Sequence, residues 1–194
     1  MAAKLGANDA AFRLGNQAVS VYLGTVEVYT PVSTLYFNDA EEDGDWATLG
    51  NWWLDQGQTV PATALPGPGN DVVIAGIVSL NSGSPITVRN FEGPGSAVGI
   101  NFTATGLANF YANFSGTLTG NAAFNDSSFN AGTVTGNATF NDSSFNGGTV
   151  TGNATFNGIA TNQGTVTGTA TFNDSAVNCG GTAGTFVPDP PPSC

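Results

Sequence analysis

Few side chains in this sequence could do chemistry, and they sit in four places. The first is an acidic run, Asp39, Glu41, Glu42, Asp43 and Asp45. Clustered carboxylates can hold Ca²⁺, but this run lacks both the EF-hand spacing and the Gly-Gly-x-Gly-x-Asp repeat of calcium-binding rolls. It reads as a solvated loop. The second is Trp46, Trp52 and Trp53, directly after the acids. Three indoles so close can form a platform for stacking on a glycan, or an apolar cover for a core. The third is Asp126, Asp142 and Asp174, the only charged residues between 99 and 187. They recur at one position of a repeat, which is turn chemistry rather than the clustered carboxylates of a glycosidase or lyase. The fourth is Cys179 and Cys194, which could be a disulfide or two thiols. There is no histidine, so His-based triads and His metal sites are out of reach. The expectation is a protein that is not an enzyme, with no cofactor and no metal.

Composition points the same way. The 194 residues include 27 Gly and 13 Phe, with only 9% charged. Fourteen acids against Lys4, Arg13 and Arg89 give a net charge of −11. Nothing here displaces counterions from phosphates, so nucleic acid is not an expected partner. The opening MAAKLGANDAAFRLG has no apolar core of signal-peptide type, and no run of about 18 apolar residues occurs. A soluble chain without membrane insertion is expected.

The elements that must position these residues are repeats. GTLTGNAAFNDSSFNA, GTVTGNATFNDSSFNG, GTVTGNATFNGIATNQ and GTVTGTATFNDSAVNC start at Gly116, Gly132, Gly148 and Gly164, and a broken unit starts at Gly181. A short unit at a fixed period marks a repeat architecture. Within one unit Val134, Gly136, Ala138 and Phe140 lie two apart and share one strand face, with Thr133, Thr135, Asn137 and Thr139 on the other. Asn141-Asp142-Ser143 supplies a turn, and a second short strand follows with Phe145 inward, matched by Phe129, Thr161 and Val177. One coil per unit brings equivalent residues into register about 4.8 Å apart. The predicted fold class is therefore all-β: a small N-terminal β module, then a narrow β-solenoid (parallel β-helix) of about 16 residues per coil. Two sheets suit so small a coil better than three, and an intertwined trimer is the alternative. The predicted core is Phe124, Val134, Phe140, Val150, Phe156, Val166 and Phe172. Four segments follow: residues 1–31, the β module; 32–98, a Trp-rich cap with the first solenoid strands; 99–187, the solenoid repeats; and 188–194, a Pro-rich tail that cannot continue a ladder.

The N-terminal segment has its own period of nine: KLGANDAAF, RLGNQAVSV and YLGTVEVYT, each with Leu-Gly at one offset. Tandem x-L-G-x-x-x-V units ending in VYLGTVEVY resemble the extreme N-termini of bacteriophage virion proteins, fibres and other appendages among them. The order W…NWW…LPGPGNDVVI is similar to a segment that opens parallel β-helix regions in phage and bacterial surface proteins. The resemblance implies attachment to the particle through Leu5, Gly6, Leu14, Gly15, Tyr22, Leu23, Gly24, Val28 and Tyr29. It implies a virion structural protein, assembled in the host cytoplasm, whose solenoid projects as a capsid decoration, head fibre or short tail fibre. The implied partners are other virion proteins of capsid or tail, in a homo-oligomer with a trimer favoured.

Two other readings compete. A host-surface glycan receptor-binding fibre or adhesin would use Trp46, Trp52 and Trp53. An ice-binding solenoid would use the Thr-x-Thr pairs Thr117/Thr119, Thr133/Thr135, Thr149/Thr151 and Thr165/Thr167 as a flat two-column array. An attachment module and a Trp cap have no role in the second.

Overall fold

The computed structural model describes residues 33–74, 80, 86–93 and 99–194, together with the backbone of short strands within 13–29 and of residues 97–98. The chain divides into two compact units, Met1–Ser33 and Thr34–Cys194. In the first, Arg13–Leu14 pairs antiparallel with Gln17–Ala18, and Val21–Leu23 with Val26–Tyr29. The side chains assigned to attachment, from Leu5 to Tyr29, lie outside the described residues.

The second unit is a parallel β-solenoid. Along one column Thr34–Phe37 pairs with Asp71–Ile74, and that strand pairs with Asn90–Gly93. The ladder continues through residues 108–110, 122–124, 138–140, 154–156 and 170–172. Every one of these pairings is parallel and joins one coil to the next. Each regular coil carries three strand segments, as in Phe129–Asn130, Thr133–Val134 and Ala138–Phe140. Three ladders therefore run along the rod, not the two expected. The extra corner is a bend at residues 135–136, where Gly136 leaves the inward row and the strand foreseen from 134 to 140 divides.

The period survives an irregular first turn. Phe102 pairs with Leu118 and Phe114 with Asn130, both sixteen apart, while Phe110 pairs with Phe124 at fourteen. A bulge between Thr103 and Leu107 inserts two residues, and the turn after Phe110 is two shorter.

The predicted core holds. Phe124, Phe140 and Phe156 are fully buried, Phe172 is 6% exposed, and Val134, Val150 and Val166 line the adjoining column. Successive rings lie 4.8, 4.8 and 4.9 Å apart and within 9° of parallel. Strand spacing sets that distance, and aromatic rings at van der Waals contact fill it without a gap.

The second short strand differs from expectation. Phe129 and Phe145 face outward, half-buried and stacked on each other at 5.1 Å. The buried residues there are Asn130, Asn146 and Asn162. Each donates its Nδ2 to Oδ1 of the next: Asn130 to Asn146 at 2.8 Å, Asn146 to Asn162 at 2.8 Å, Asn162 to Asn178 at 2.9 Å. The ends are closed too. Asn130 Oδ1 accepts the Gly132 N–H, and Asn178 Nδ2 donates to the Gly181 carbonyl. A buried amide is inexpensive only when both its donor and its acceptor are used. An identical amide one rung away uses both, so polarity here favours the interior over Phe. Glycine makes room: a Cβ on Gly181 would sit 2.1 Å from Asn162 Nδ2, and one on Gly148 would sit 2.1 Å from the Gly132 carbonyl.

A second ladder, partly exposed, runs the other way, from Asn173 to Asn157 to Asn141 to Asn125. The two ladders make a matched test. Asn146→Ala strands the Asn130 donor and the Asn162 acceptor in a dry interior. It is expected to cost about 2–4 kcal/mol, the penalty for two unpaired buried groups. Asn141→Ala is expected to cost under about 1 kcal/mol, because water replaces the lost partner. Urea midpoints of the two variants check the difference, and equal losses would refute the assigned burial.

Candidate functional site

The acidic loop folds around Asn51, a buried amide. Asn51 Oδ1 accepts the Glu41 N–H at 2.8 Å, and its Nδ2 donates to Asp43 Oδ1 at 2.7 Å and to the Asp45 carbonyl at 3.0 Å. Asp43 also accepts the Thr48 hydroxyl at 2.6 Å, while Asp39 takes the Gly44 N–H and Asp45 the Ala47 N–H. The Thr48 hydroxyl, followed by the Asp45 N–H, holds the Asp43 carboxyl below its usual value. These carboxylates cap their own loop. Among the described residues no group of three or more His, Cys, Asp or Glu could hold a metal ion.

Trp46 and Trp52 are fully buried, which removes both from the glycan platform: a ring with no open face cannot stack on a sugar. Trp52 Nε1 donates to the Trp46 carbonyl at 2.7 Å, and Trp46 packs edge-on against Phe91 and Phe102. Strand Trp52–Trp53 pairs antiparallel with Thr34–Phe37, and Pro61 bridges Trp53 on its far side. An antiparallel strand flanked by a proline ends a parallel ladder. Of the three indoles only Trp53 reaches the surface, with its Nε1 on Asn38 Oδ1 at 3.0 Å.

The repeat turns are turns. Asp126, Asp142 and Asp174 have φ of 56°, 57° and 56°, and Gly158 takes 69° at the equivalent place. This left-handed region suits Gly and, among other residues, Asp and Asn. The threonine columns are in register, Thr117 with Thr133, Thr149, Thr165 and Thr182. The second column is not uniform: Thr119 and Thr167 lie within continuous strands, whereas Thr135 and Thr151 sit at the bend and turn their hydroxyls onto the Leu118 and Val134 carbonyls below.

At the other end Cys179 and Cys194 are bonded, with Cα atoms 5.4 Å apart. The tail returns over the last coil, where the Pro192 carbonyl accepts the Asn178 N–H at 2.7 Å. Pro190, Pro191 and Pro192 offer no donor to a further strand.

A concavity is also present, and no single sequence motif announces it. It lies on the outer face of the first coils, with a volume of about 490 Å³, between Thr34, Tyr36, Asp71, Asn90, Glu92 and Asn109. Four segments far apart in sequence build it, which is why the chain read linearly gives no sign of it. Arg89 grips Asp71 through two bonds, Nε to Oδ1 at 2.8 Å and Nη2 to Oδ2 at 2.5 Å, and Asn90 Nδ2 adds a third at 2.9 Å. The Arg89 hydrogen bonds are the main cause that holds the Asp71 carboxyl below its ordinary value. Asn90 Oδ1 in turn accepts the Leu107 N–H at 2.9 Å.

Fold and sites together define a capped parallel β-solenoid. No family model, curated protein or solved structure matches this chain.

The Asp71 shift has a sign. Its folded pKa is below the ordinary 3.8, so its contribution to stability is complete above that value and is lost as pH falls through the folded value. Asp71→Asn is therefore expected to lower the melting temperature at pH 7. It should also flatten the decline in stability below about pH 4. Melting curves from pH 7 to pH 2 check both, and an unchanged acid limb would count against the pairing.

Proposed function

We propose that this chain is a non-enzymatic structural component of a bacteriophage particle, anchored by the unit at residues 1–33 and projecting its solenoid as a short rigid appendage. The observation that carries the reading is the closed rod, whose parallel ladders run unbroken from the first coils to the last. Its columns of Phe, Val and Asn repeat from coil to coil, and both ends are covered, by the Trp cap and by the disulfide-held tail. A rod of this kind resists proteolysis because few backbone groups are left to open locally. The division at Ser33 supports a modular layout, with a small module for docking and a larger one for presentation. The Leu-Gly repeats supply the resemblance to virion attachment segments. Capsid decoration, head fibre and short tail fibre all fit, and a trimer would hold three such rods at their N-terminal modules.

The test is incorporation. Particles made with the full chain should carry it at a copy number set by capsid or tail symmetry. Particles made with residues 1–31 deleted should lack it, although the truncated solenoid stays folded. Loading of the truncated chain would overturn the anchor, and absence of the full chain from purified particles would overturn the virion role.

A further inference from the structure

Across the outer face of the rod, register sets Trp53, Tyr36, Val73, Glu92 and Asn109 side by side in one row. The same row continues as Ala123, Thr139, Thr155 and Thr171. The later rungs are small and self-similar, as stacking on a like neighbour requires. The first rungs abandon that rule for an indole, a phenol, a carboxylate and an amide. We propose that this end of the row, with its concavity, is a binding site for a neutral saccharide.

Hydrogen bonding supports it. Along the repeats, outward amides are consumed by the fold: Asn121, Asn137 and Asn153 accept backbone N–H groups sixteen residues on, and Asn125 to Asn173 bond one another. In the concavity, Glu92, Asn109 and the Tyr36 hydroxyl have no hydrogen-bond partner among the described residues. Glu92 is exposed, and it lies directly opposite Asn109 on the neighbouring strand. Together they offer acceptors and donors to paired sugar hydroxyls. Tyr36 lies two strands from Glu92, about 10 Å at the usual spacing, a span that one or two sugar rings cover. Leu107 is 40% exposed and lines the same hollow. With the half-buried ring of Tyr36 it provides the apolar surface on which the C–H face of a sugar rests.

Charge selects the class. Arg89 neutralises Asp71, so Glu92 is the one uncompensated charge lining the hollow. One carboxylate on a chain of net charge −11 repels acidic sugars and is too little to recruit a polycation. A neutral oligosaccharide meets neither penalty. The site does not depend on the virion reading, and differs from the alternative three-indole platform because Trp46 and Trp52 take no part.

The test uses the full chain on an array of neutral and sialylated oligosaccharides, followed by calorimetric titration of the strongest neutral member. Neutral glycans should bind. Glu92→Gln and Asn109→Ala should each weaken binding at least about tenfold, the loss of a charged or a well-placed neutral hydrogen bond. Thr155→Ala, three coils along the same row, should leave binding unchanged. Melting temperatures of all three variants should match the parent. Silence across the array, a preference for sialylated members, or binding that survives the Glu92→Gln, Asn109→Ala double change would each overturn the site. Particle incorporation of the same variants should be unaltered, so failure here and failure of the virion role are separately visible.

Discussion

Parallel pairing of each coil with the next is the constraint from which the rest of this molecule follows. It places residue i over residue i+16 at one strand spacing, so every side chain must be compatible with a copy of itself. Few residue types satisfy that. Phe does, because flat rings at 4.8 Å are in contact. Asn does, because its amide is both donor and acceptor. Gly does where backbones press together, as at Gly132 and Gly148. Charged residues do so poorly, since like charges one rung apart repel, and the repeats carry them only at the exposed turn, where water screens Asp126 from Asp142. The near-absence of charge from the repeats is a consequence of geometry.

The two asparagine ladders show how this constraint also fixes register. The inner ladder points its donors toward the C-terminus and the outer ladder toward the N-terminus, so their amide dipoles oppose and largely cancel. A slip of one residue would bring Phe145 inside and Asn146 out, giving up a satisfied, buried amide column. Hydrophobic burial opposes the same slip, which would turn the Phe140 column outward, and the buried amides reinforce that choice.

The same stacking leaves two open ends, and the chain spends its non-repetitive sequence there. At the first coils, Trp46 and Trp52 fill the cross-section and the strand Trp52–Trp53 turns antiparallel to close the edge. At the last, prolines and the Cys179–Cys194 bond hold the tail across Asn178. Because the caps do not have to repeat, they are also where recognition chemistry can be placed, and the hollow beside Tyr36 and Glu92 lies there.

Much of this was legible in the linear chain. The period of sixteen, the Phe and Val columns and the Asp turns follow from spacing and residue type, because a stack transmits its period directly into the sequence. The side facing inward in the second short strand did not follow. Hydrophobicity places Phe145 inside, and only the neighbouring coils, by completing the hydrogen bonds of Asn146, reverse that choice. The third ladder depended likewise on a bend that alternation does not encode. Local sequence determined that this chain coils and with what period. The tertiary structure alone decided which polar groups go inside, and which four distant segments meet in a hollow, since both depend on partners brought together across coils and not along the chain.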